Sequence, residues 1–549
     1  MKKSIKAGLV FMTLIMGILL FGHRTEALAA DVIEGFHGGT GTKADPYQIA
    51  TVEEFEILRG NLKVDDGYDH ADYRETYFVL VKDINYDSTK PLTKPKLGLV
   101  NCKINGNGHS VNNISSTGNP LFNRVNGTEI KNISFRHCKL KNTPLIAKEV
   151  FDAKLSNVDF LNSKISYTIK SKKDYAASSN YGSELRYGGL TNWAYTSKFE
   201  NITANTTMTV DGIGVYGMLC GHFQGDAKNC LTQGKVNVSV GYKKGERSMC
   251  VGAMFGCTDG GAKNLVNKAS VTVLAPNKDA FYTVAGISGS GSYLENQKNT
   301  DKYYACQNQG KITVKSKWHK DERQSGYVAG IEAGYAICNF DKCQNSGKLV
   351  ANDIYSVAGI TNDLTGIIKN CKNTGTIEAS DTRNTAGIAN VVNKKVVNCK
   401  NTGKIKNIET FVHDYSGCAA AGIANTLSCE SYRSIILNCT NSGEIKSGGK
   451  DGLSSAVGIV NIMEQSKKFY STVKNCKNTG TITGDWWASG IVSLSGNWQV
   501  KNNKNVIASC KNTGTIIGIK GGENKPGILG YNQNTKITNC VNKGAFKKR

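Results

Sequence analysis

Proline is scarce in this chain: seven of its 549 residues are proline, whereas 60 are glycine. So little proline excludes a collagenous chain and a proline-rich disordered chain. Helical periodicity is also nearly absent, which argues against helical repeats. The hydrophobic fraction of 39% is modest, but it suffices for a long, thin core in which each coil buries a few side chains.

The usual motifs of catalysis and metal binding are missing as well. None of the eight histidines lies in a His-Glu-x-x-His arrangement, and no Cys-x-x-Cys or His-x-x-x-His spacing occurs. The segment Gly286-Ile-Ser-Gly-Ser290 approaches a nucleophile elbow but lacks the final glycine. From linear spacing we therefore expect no metal site, no cofactor and no protease activity.

Residues 1–29 have the order of a signal peptide. Lys2, Lys3 and Lys6 form a charged start, residues 7–21 are apolar, and Ala27-Leu-Ala29 is a small-x-small cleavage site. Fifteen apolar residues are fewer than the roughly 20 that span a bilayer, and no apolar stretch lies at the C-terminus. We expect a secreted protein, soluble or held non-covalently at a cell surface, with no transmembrane anchor in the mature chain.

Acidic residues are too few to balance the basic ones. The formal charge is +24, and loss of four cations and Glu26 with the signal peptide leaves +21. Such an excess favours polyanionic partners, namely an acidic polysaccharide, a cell-wall polymer, or a glycan or protein of a host surface. Export and the lack of a reading module argue against nucleic acid. A charge that serves only solubility is the alternative.

The chain repeats itself. An octad with the pattern Asn-Cys-x-Asn-x-Gly-x-Ile recurs as near copies at 370–377, 398–405, 438–445 and 475–482, with more divergent copies from about residue 230 to the end. Within it the cysteine, second asparagine, glycine and isoleucine share one parity, which indicates a strand with one buried face. We expect Cys371, Asn373, Gly375 and Ile377 to point inward, with the asparagine amides bonded to one another along the stack.

A second element, Ala-Gly-Ile, alternates with the octad, for example at residues 358–360 and 386–388. The shortest full units, from Cys343 to Cys371 and from Cys371 to Cys399, are 28 residues long. Insertions at fixed places in a constant unit are typical of solenoids. The sequence therefore predicts an all-β parallel β-helix (β-solenoid), with coils about 4.8 Å apart.

The chain before the repeats differs. Residues 51–62 read as a short helix with Thr51 as N-cap and Glu54 completing a capping box, which would cover the open end of the core. We expect a signal peptide at 1–29, an N-terminal cap at 30–100 and the β-helix at 101–549, with regular Cys-x-Asn-x-Gly repeats from about 230. Asn132-Ile-Ser-Phe135 and Asn157-Val-Asp-Phe160 look like successive coils.

Several segments of the N-terminal part resemble bacterial surface or secreted proteins with GLUG-type repeats. The segments are Gly38-Gly-Thr-Gly-Thr42, Asp45-Pro-Tyr-Gln-Ile49, Thr51-Val-Glu-Glu-Phe55, Tyr77-Phe-Val-Leu80 and Ile104-Asn-Gly-Asn-Gly-His109. The resemblance covers residues 38–165 well and the later repeats loosely, since the octad departs from the GLUG unit. It implies a right-handed parallel β-helix of the pectin-lyase-like kind, an architecture shared by lyases, glycosidases and adhesins.

Most of the seventeen cysteines recur at one position of the repeat. Stacked cysteines would have Cβ atoms about 4.8 Å apart, beyond the usual 3.5–4.5 Å of a disulfide. Leu265 takes the same position in one coil, so the site favours a small apolar side chain. We expect a buried ladder of thiols, with extensive disulfide bonding as the alternative.

Acidic residues do not recur on neighbouring coils, as a catalytic carboxylate pair on one sheet face would require. Asp363 and Asp381 could approach each other through one loop, although both also fit turns.

The features that indicate ligand binding are clearer. Lysines at outward octad positions should stack in a basic column, and tryptophans in inserted loops offer platforms for sugar rings. The candidate ligand-binding residues are Lys372, Lys400, Lys477, Lys511, Trp318, Trp486, Trp487 and Trp498. A solvated face and tryptophans that cover the core are the alternatives.

These features favour an adhesin-like, secreted or cell-surface binding protein, a rigid rod that recognises glycans or host proteins through its loops and a basic face. A β-helical polysaccharide lyase or glycoside hydrolase is the second hypothesis, and a structural spacer the third.

Overall fold

The computed structural model describes residues 34–60, 75–94, 98–169, 186–239, 247–275, 280–291, 303–316, 326–410, 418–449, 454–496, 504–520, 527–532 and 535–548. The predicted signal peptide, residues 1–29, lies outside these residues. Within them, strands of successive coils pair in parallel, and such pairings connect all 60 strands into one sheet. The predicted parallel β-helix is confirmed.

Five stacks of short strands make up the regular coils. Stack 1 consists of Arg186–Gly188, Val215–Gly217, Arg247–Gly252, Ala280–Ala285, Tyr327–Ala329, Ser356–Ala358, Asn384–Ala386, Ala419–Ala421 and Ser455–Val457. Stack 2 consists of Leu99–Val100, Arg124–Asn126, Ala147–Phe151, Thr191–Asp211, Cys220–Lys228, Phe255–Thr258, Ser288–Gly291, Glu332–Ala336, Thr361–Leu364, Ala389–Val392, Ala424–Leu427, Val460–Met463, Val492–Ser495 and Leu529–Asn532. Stack 3 consists of Gly261–Lys263, Tyr303–Tyr304, Phe340–Asp341, Ile367–Lys369, Lys395–Val397, Ile435–Leu437, Thr472–Lys474, Val506–Ala508 and Lys536–Thr538.

The octads supply the other two stacks. Stack 4 consists of Val266–Asn267, Gln307–Asn308, Gln344–Asn345, Lys372–Asn373, Lys400–Asn401, Thr440–Asn441, Lys477–Asn478, Lys511–Asn512 and Val541–Asn542. Stack 5 consists of Ser115–Thr117, Lys139–Lys141, Ser270–Ala275, Ile312–Ser316, Leu349–Asn352, Ile377–Ser380, Ile405–Ile408, Ile445–Gly448, Ile482–Ser489, Ile516–Lys520 and Phe546–Lys548. The remaining strands, several of which run through more than one stack, are Tyr47–Ile49, Thr76–Leu80, Ile84–Asn85, Cys102–Asn105, Ser110–Asn112, Glu129–Arg136, Lys154–Thr168 and Leu231–Ser239.

The register follows the repeat unit. Lys372 pairs with Lys400 and Ile377 pairs with Ile405, so adjacent coils are offset by the 28 residues that the sequence predicted. The earlier coils are less regular but also in register, since Phe135 pairs with Phe160 as expected. Insertions therefore leave the stacked strands unchanged.

A ladder of buried asparagines, each the second residue of a stack 4 strand, runs through the core. The amide Nδ2 of Asn373 donates to Oδ1 of Asn401 over 2.8 Å, and that of Asn401 donates to Asn441 over 2.8 Å. Each of these side chains is fully buried, and the Nδ2 group also donates to the carbonyl two residues on. The predicted inward asparagine ladder is confirmed.

The asparagine ladder explains the glycine of the Ala-Gly-Ile element. A Cβ atom on Gly359 would lie 2.8 Å from Cγ of Asn373 and 2.0 Å from the carbonyl oxygen of Gly387. On the next coil, Gly387 meets Asn401 and Gly422 in the same way. Because the amide ladder and the neighbouring backbone fill this space, no side chain fits there.

The cysteines of the octads form the predicted inward ladder. Cys371, Cys399, Cys439 and Cys476 are buried, and the backbone N–H of Cys399 donates to Sγ of Cys439 over 3.4 Å. All seventeen cysteines lie in the described residues, and none of them forms a disulfide there. Burial raises the pKa of the Cys371, Cys439 and Cys476 thiols above the ordinary value.

The first asparagine of each octad has a role that we did not predict. Asn370, Asn398, Asn438 and Asn475 adopt φ values of 53–56°, the left-handed conformation that asparagine tolerates better than most residues. Their side chains form a second ladder on the outside, in which Nδ2 of Asn438 donates to Oδ1 of Asn398 over 3.1 Å. This residue turns the chain from stack 3 into stack 4.

Helix α1, Val52–Gly60, covers the N-terminal end of the core. The predicted capping box is present: the N–H of Glu54 donates to Thr51 Oγ1 over 3.2 Å, and the N–H of Thr51 donates to Glu54 Oε2 over 3.0 Å. Phe55 and Leu58 join the hydrophobic core. Buried Arg59 donates to the carbonyl of Leu121 over 2.9 Å, which ties the helix to the first coils.

No helix in the described part of the chain is long and apolar enough to cross a membrane.

Candidate functional site

The predicted lysine column is present on the outer face of stack 4. Its positions are in register from coil to coil, in the order Gln307, Gln344, Lys372, Lys400, Thr440, Lys477, Lys511 and Val541. Four of five consecutive coils thus present a lysine, and all four side chains are exposed. We call these four residues the lysine column.

Local structure holds the lysine column straight. Lys372 lies between buried Cys371 and buried Asn373, so its backbone is fixed from both sides. The same arrangement surrounds Lys400 on the next coil. In each of these two-residue strands the asparagine points inward into the amide ladder. The lysine beside it therefore points outward, because successive strand residues face opposite sides.

Lysines at neighbouring outward positions differ from the lysine column because they form ion pairs with acidic residues. In stack 5 and the residues before it, Lys348 contacts Glu378 over 2.7 Å and Lys404 contacts Glu444 over 2.8 Å. No lysine of the lysine column forms an ion pair with any residue in the described ranges. The positive charge along this line is therefore not neutralised by the described part of the protein.

An unneutralised column costs stability. Like charges directly opposite each other on paired strands are unfavourable, and two charges at the coil spacing of about 4.8 Å repel by roughly 0.9 kcal/mol in water. A bound polyanion would remove this repulsion. The lysine column therefore has the electrostatic properties of a binding surface for an extended, negatively charged chain.

Of the four candidate tryptophans, the structure describes the side chain of one, Trp487. Trp487 is half-buried and stacks with Tyr531 of the following coil, with ring centroids 6.3 Å apart and an interplanar angle of 23°. Tyr531 is 47% exposed, so the pair offers a flat aromatic surface at the C-terminal end of the rod. Trp318, Trp498 and the side chain of Trp486 lie outside the described residues.

The two carboxylates singled out from the sequence do not form a pair. Asp381 is buried and accepts hydrogen bonds from the N–H and Oγ1 of Thr410, both over 2.6 Å. This residue closes a turn, as its φ of 49° also shows. Asp363 lies in stack 2, where its side chain accepts a weak bond from Asn393 over 3.3 Å.

A different acidic residue, Glu332, lies on the coil before Asp363, where it pairs with Thr361. Burial, followed by the charges of Glu332 and Glu430, raises the pKa of Asp363 to about 6. Glu332 itself is fully buried and accepts from the N–H of Gly334 over 2.9 Å and from Thr361 Oγ1 over 3.0 Å. A carboxylate with a pKa near 6 beside a second carboxylate resembles a glycosidase pair, but Glu332 is not accessible to a substrate.

Comparison with protein-family models, curated proteins and solved structures gave no match.

Proposed function

We propose that the chain is a secreted or cell-surface binding protein that holds an acidic polysaccharide along the lysine column. The observation that supports it best is the register of Lys372, Lys400, Lys477 and Lys511 on four of five consecutive coils, without acidic partners among the described residues. A rigid row of cations matches a linear polymer that carries a negative charge on successive units. The formal charge of +24 favours the same class of ligand.

The stacked pair of Trp487 and Tyr531 supports a contribution from sugar rings, because aromatic faces pack against their apolar sides. This pair lies near the C-terminal end of the rod, as does Lys511. We expect charge to provide most of the affinity and the aromatic pair to favour sugars over other polyanions.

The test compares two quadruple variants with the same change in net charge. The first replaces the lysine column with glutamine: Lys372→Gln, Lys400→Gln, Lys477→Gln and Lys511→Gln. The matched control replaces four lysines that form ion pairs: Lys154→Gln, Lys228→Gln, Lys348→Gln and Lys404→Gln. Exposed ion pairs contribute little to stability, so both variants should fold.

Affinity for a polyuronate is measured by calorimetry at 0.1 M and 1 M salt, with a neutral polysaccharide for comparison. We expect the lysine-column variant to lose about tenfold or more in affinity and the control to lose little, and binding to weaken with salt because screening shortens from about 10 Å to about 3 Å. Equal losses in both variants would mean that net charge alone attracts the polymer. New reducing or unsaturated ends would establish an enzyme, and no binding at low salt would favour a spacer.

A further inference from the structure

A cluster of three potential metal ligands lies on the outer face of stack 2, far along the chain from the lysine column. His222 belongs to the strand Cys220–Lys228 and Cys257 to the strand Phe255–Thr258, and these two residues pair directly across adjacent coils. Asp259 follows two residues after Cys257, so its side chain lies on the same side. The cluster combines an imidazole, a thiol and a carboxylate.

The three side chains are close together and well ordered by their surroundings. Nε2 of His222 lies 2.7 Å from Oδ2 of Asp259. One ligand atom of each of the three residues lies within 4.8 Å of the other two. The side chains of His222 and Asp259 are only 16% and 5% exposed, and Cys257 is half-buried. The backbone N–H of Asp259 donates to the carbonyl of Phe223 over 2.9 Å, which fixes the carboxylate beside the histidine.

The cluster is not a product of the repeat. The residues in register with His222 and Cys257 on the coils before and after are Trp193 and Ser290. A stacked scaffold position would carry similar residues on successive coils. These two coils instead carry donors that differ from their neighbours and complement each other.

The donor set suits a particular class of metal. Zinc and related transition metals take thiolate, imidazole and carboxylate ligands, with bonds of about 2.3 Å to sulfur and about 2.0–2.2 Å to nitrogen and oxygen. Bonds of those lengths separate tetrahedral ligand atoms by roughly 3.3–3.7 Å. Small rotations of three side chains already within 4.8 Å of one another would reach this arrangement. Calcium and magnesium, which prefer oxygen ligands alone, fit less well.

We propose that His222, Cys257 and Asp259 bind a zinc-like divalent transition metal, with a fourth position open toward the surface. Three protein ligands and one exchangeable position are typical of zinc sites that act on a bound molecule. The guanidinium of Arg186 lies near this site: it stacks over Trp193 at 4.7 Å, and Trp193 pairs with His222 on the adjacent coil. A group that enters the fourth position would therefore meet a cation, which favours an anionic one.

This proposal is independent of polysaccharide binding by the lysine column. A cluster that only held the coils together would give no metal-dependent spectroscopic signal from the Cys257 thiol, whereas a thiolate ligand would. The thiol is thus the residue that distinguishes a metal site from a structural contact.

The test uses the whole chain, freed of metal with a chelator and then titrated with Co²⁺ as the probe. Thiolate ligation gives an intense charge-transfer absorption, and tetrahedral geometry gives visible bands. We expect one Co²⁺ per chain, displaced by Zn²⁺, and both signals lost in Cys257→Ser. Loss of even an outer partner of a metal site costs about 10–100-fold in affinity, so His222→Gln and Asp259→Asn should weaken binding by about 100-fold or more.

Cys540→Ser is the matched control, because Cys540 is also half-buried but lies in the last octad, far along the chain from the cluster. It should bind Co²⁺ like the wild type. Zn²⁺ should raise the melting temperature of the wild type and of Cys540→Ser, but not that of Cys257→Ser, since a ligand stabilises only the state that binds it. Absence of stoichiometric binding, or binding that survives Cys257→Ser, would overturn the proposal.

Discussion

The buried asparagine ladder leads to a sharp prediction for Asn401→Asp. The amide Nδ2 of Asn401 donates to the carbonyl of Gly403 over 3.1 Å and to Oδ1 of Asn441 over 2.8 Å. Its Oδ1 accepts from Nδ2 of Asn373 over 2.8 Å. Aspartate has nearly the same shape and retains the acceptor, but its carboxylate has no proton to donate.

The size of the stability loss in Asn401→Asp follows from the hydrogen bonds that are lost. The substitution leaves two buried acceptors, the carbonyl of Gly403 and the amide oxygen of Asn441, without this donor. Each buried, unsatisfied group costs about 1–3 kcal/mol, so the free energy of unfolding should fall by about 2–6 kcal/mol at pH 7. Burial also raises the pKa of the new carboxyl group. Protonation restores one donor, and therefore part of the stability should return as the pH falls.

The sign of the pH effect is fixed by linkage. Because the folded-state pKa of the carboxyl group introduced by Asn401→Asp lies above its unfolded value of about 3.9, stability is greatest at low pH and is lost as the pH rises through the folded pKa. Melting temperatures at pH 4.5 and pH 8 measure this difference. Hydrogen exchange in the residues around 398–410 shows whether the loss is local to the coils that contact the substitution.

Asn542→Asp is the matched control at the exposed end of the same ladder. Its Oδ1 accepts from Asn512 over 2.8 Å, but its Nδ2 has only a 3.5 Å contact with the Gly544 carbonyl. This variant should lose less than about 1 kcal/mol, since water can replace the missing donor. The reasoning would be refuted if Asn401→Asp were as stable as the wild type at pH 8, or if both variants lost the same amount.

Two further predictions concern titratable groups that are wholly or partly buried. Most of the seventeen cysteines should react with a thiol reagent after denaturation without reductant, whereas few should react in the native protein at pH 8, because burial raises the pKa of thiols such as Cys102 and Cys138 to about 12. Recovery of only one or two thiols would show that disulfides are present. Asp363→Asn should raise the melting temperature at pH 8 but not at pH 4. The folded-state pKa of Asp363 is about 6, above the ordinary 3.8, so the wild-type protein loses stability as the pH rises, by up to ~3 kcal/mol. A gain that is equal at both pH values would contradict this assignment.

Much of the architecture follows from the octads themselves. Parity within one octad assigned Cys371, Asn373 and Ile377 to the inside and Lys372 to the outside, because successive strand residues point to opposite faces. The recurrence of the octad, every 28 residues in the shortest units, then fixed the register between coils. The helix near Thr51 was predictable from its capping box, a signal that depends only on residues three apart.

Other features were not predictable because they depend on contacts between coils. The glycine of Ala-Gly-Ile is required by an amide about fourteen residues further along the chain, as Gly359 and Asn373 show. The asparagine that opens each octad looked like part of the strand, although it is a left-handed corner. Its frequency at that position, together with the tolerance of asparagine for positive φ, was the available signal.

The sequence alone determined that the chain is a parallel solenoid with a cysteine ladder, an asparagine ladder and a column of lysines, since each depends on a short pattern that recurs from coil to coil. Only the tertiary structure decided which charges are neutralised: Lys348 meets Glu378 from the next coil, whereas Lys372 meets no described acid. It also brought together His222, Cys257 and Asp259. Linear metal-binding motifs have ligands a few residues apart, but stacking places residues 35 and 37 positions apart side by side. The distance between coils is set by backbone hydrogen bonds and not by the length of chain between them.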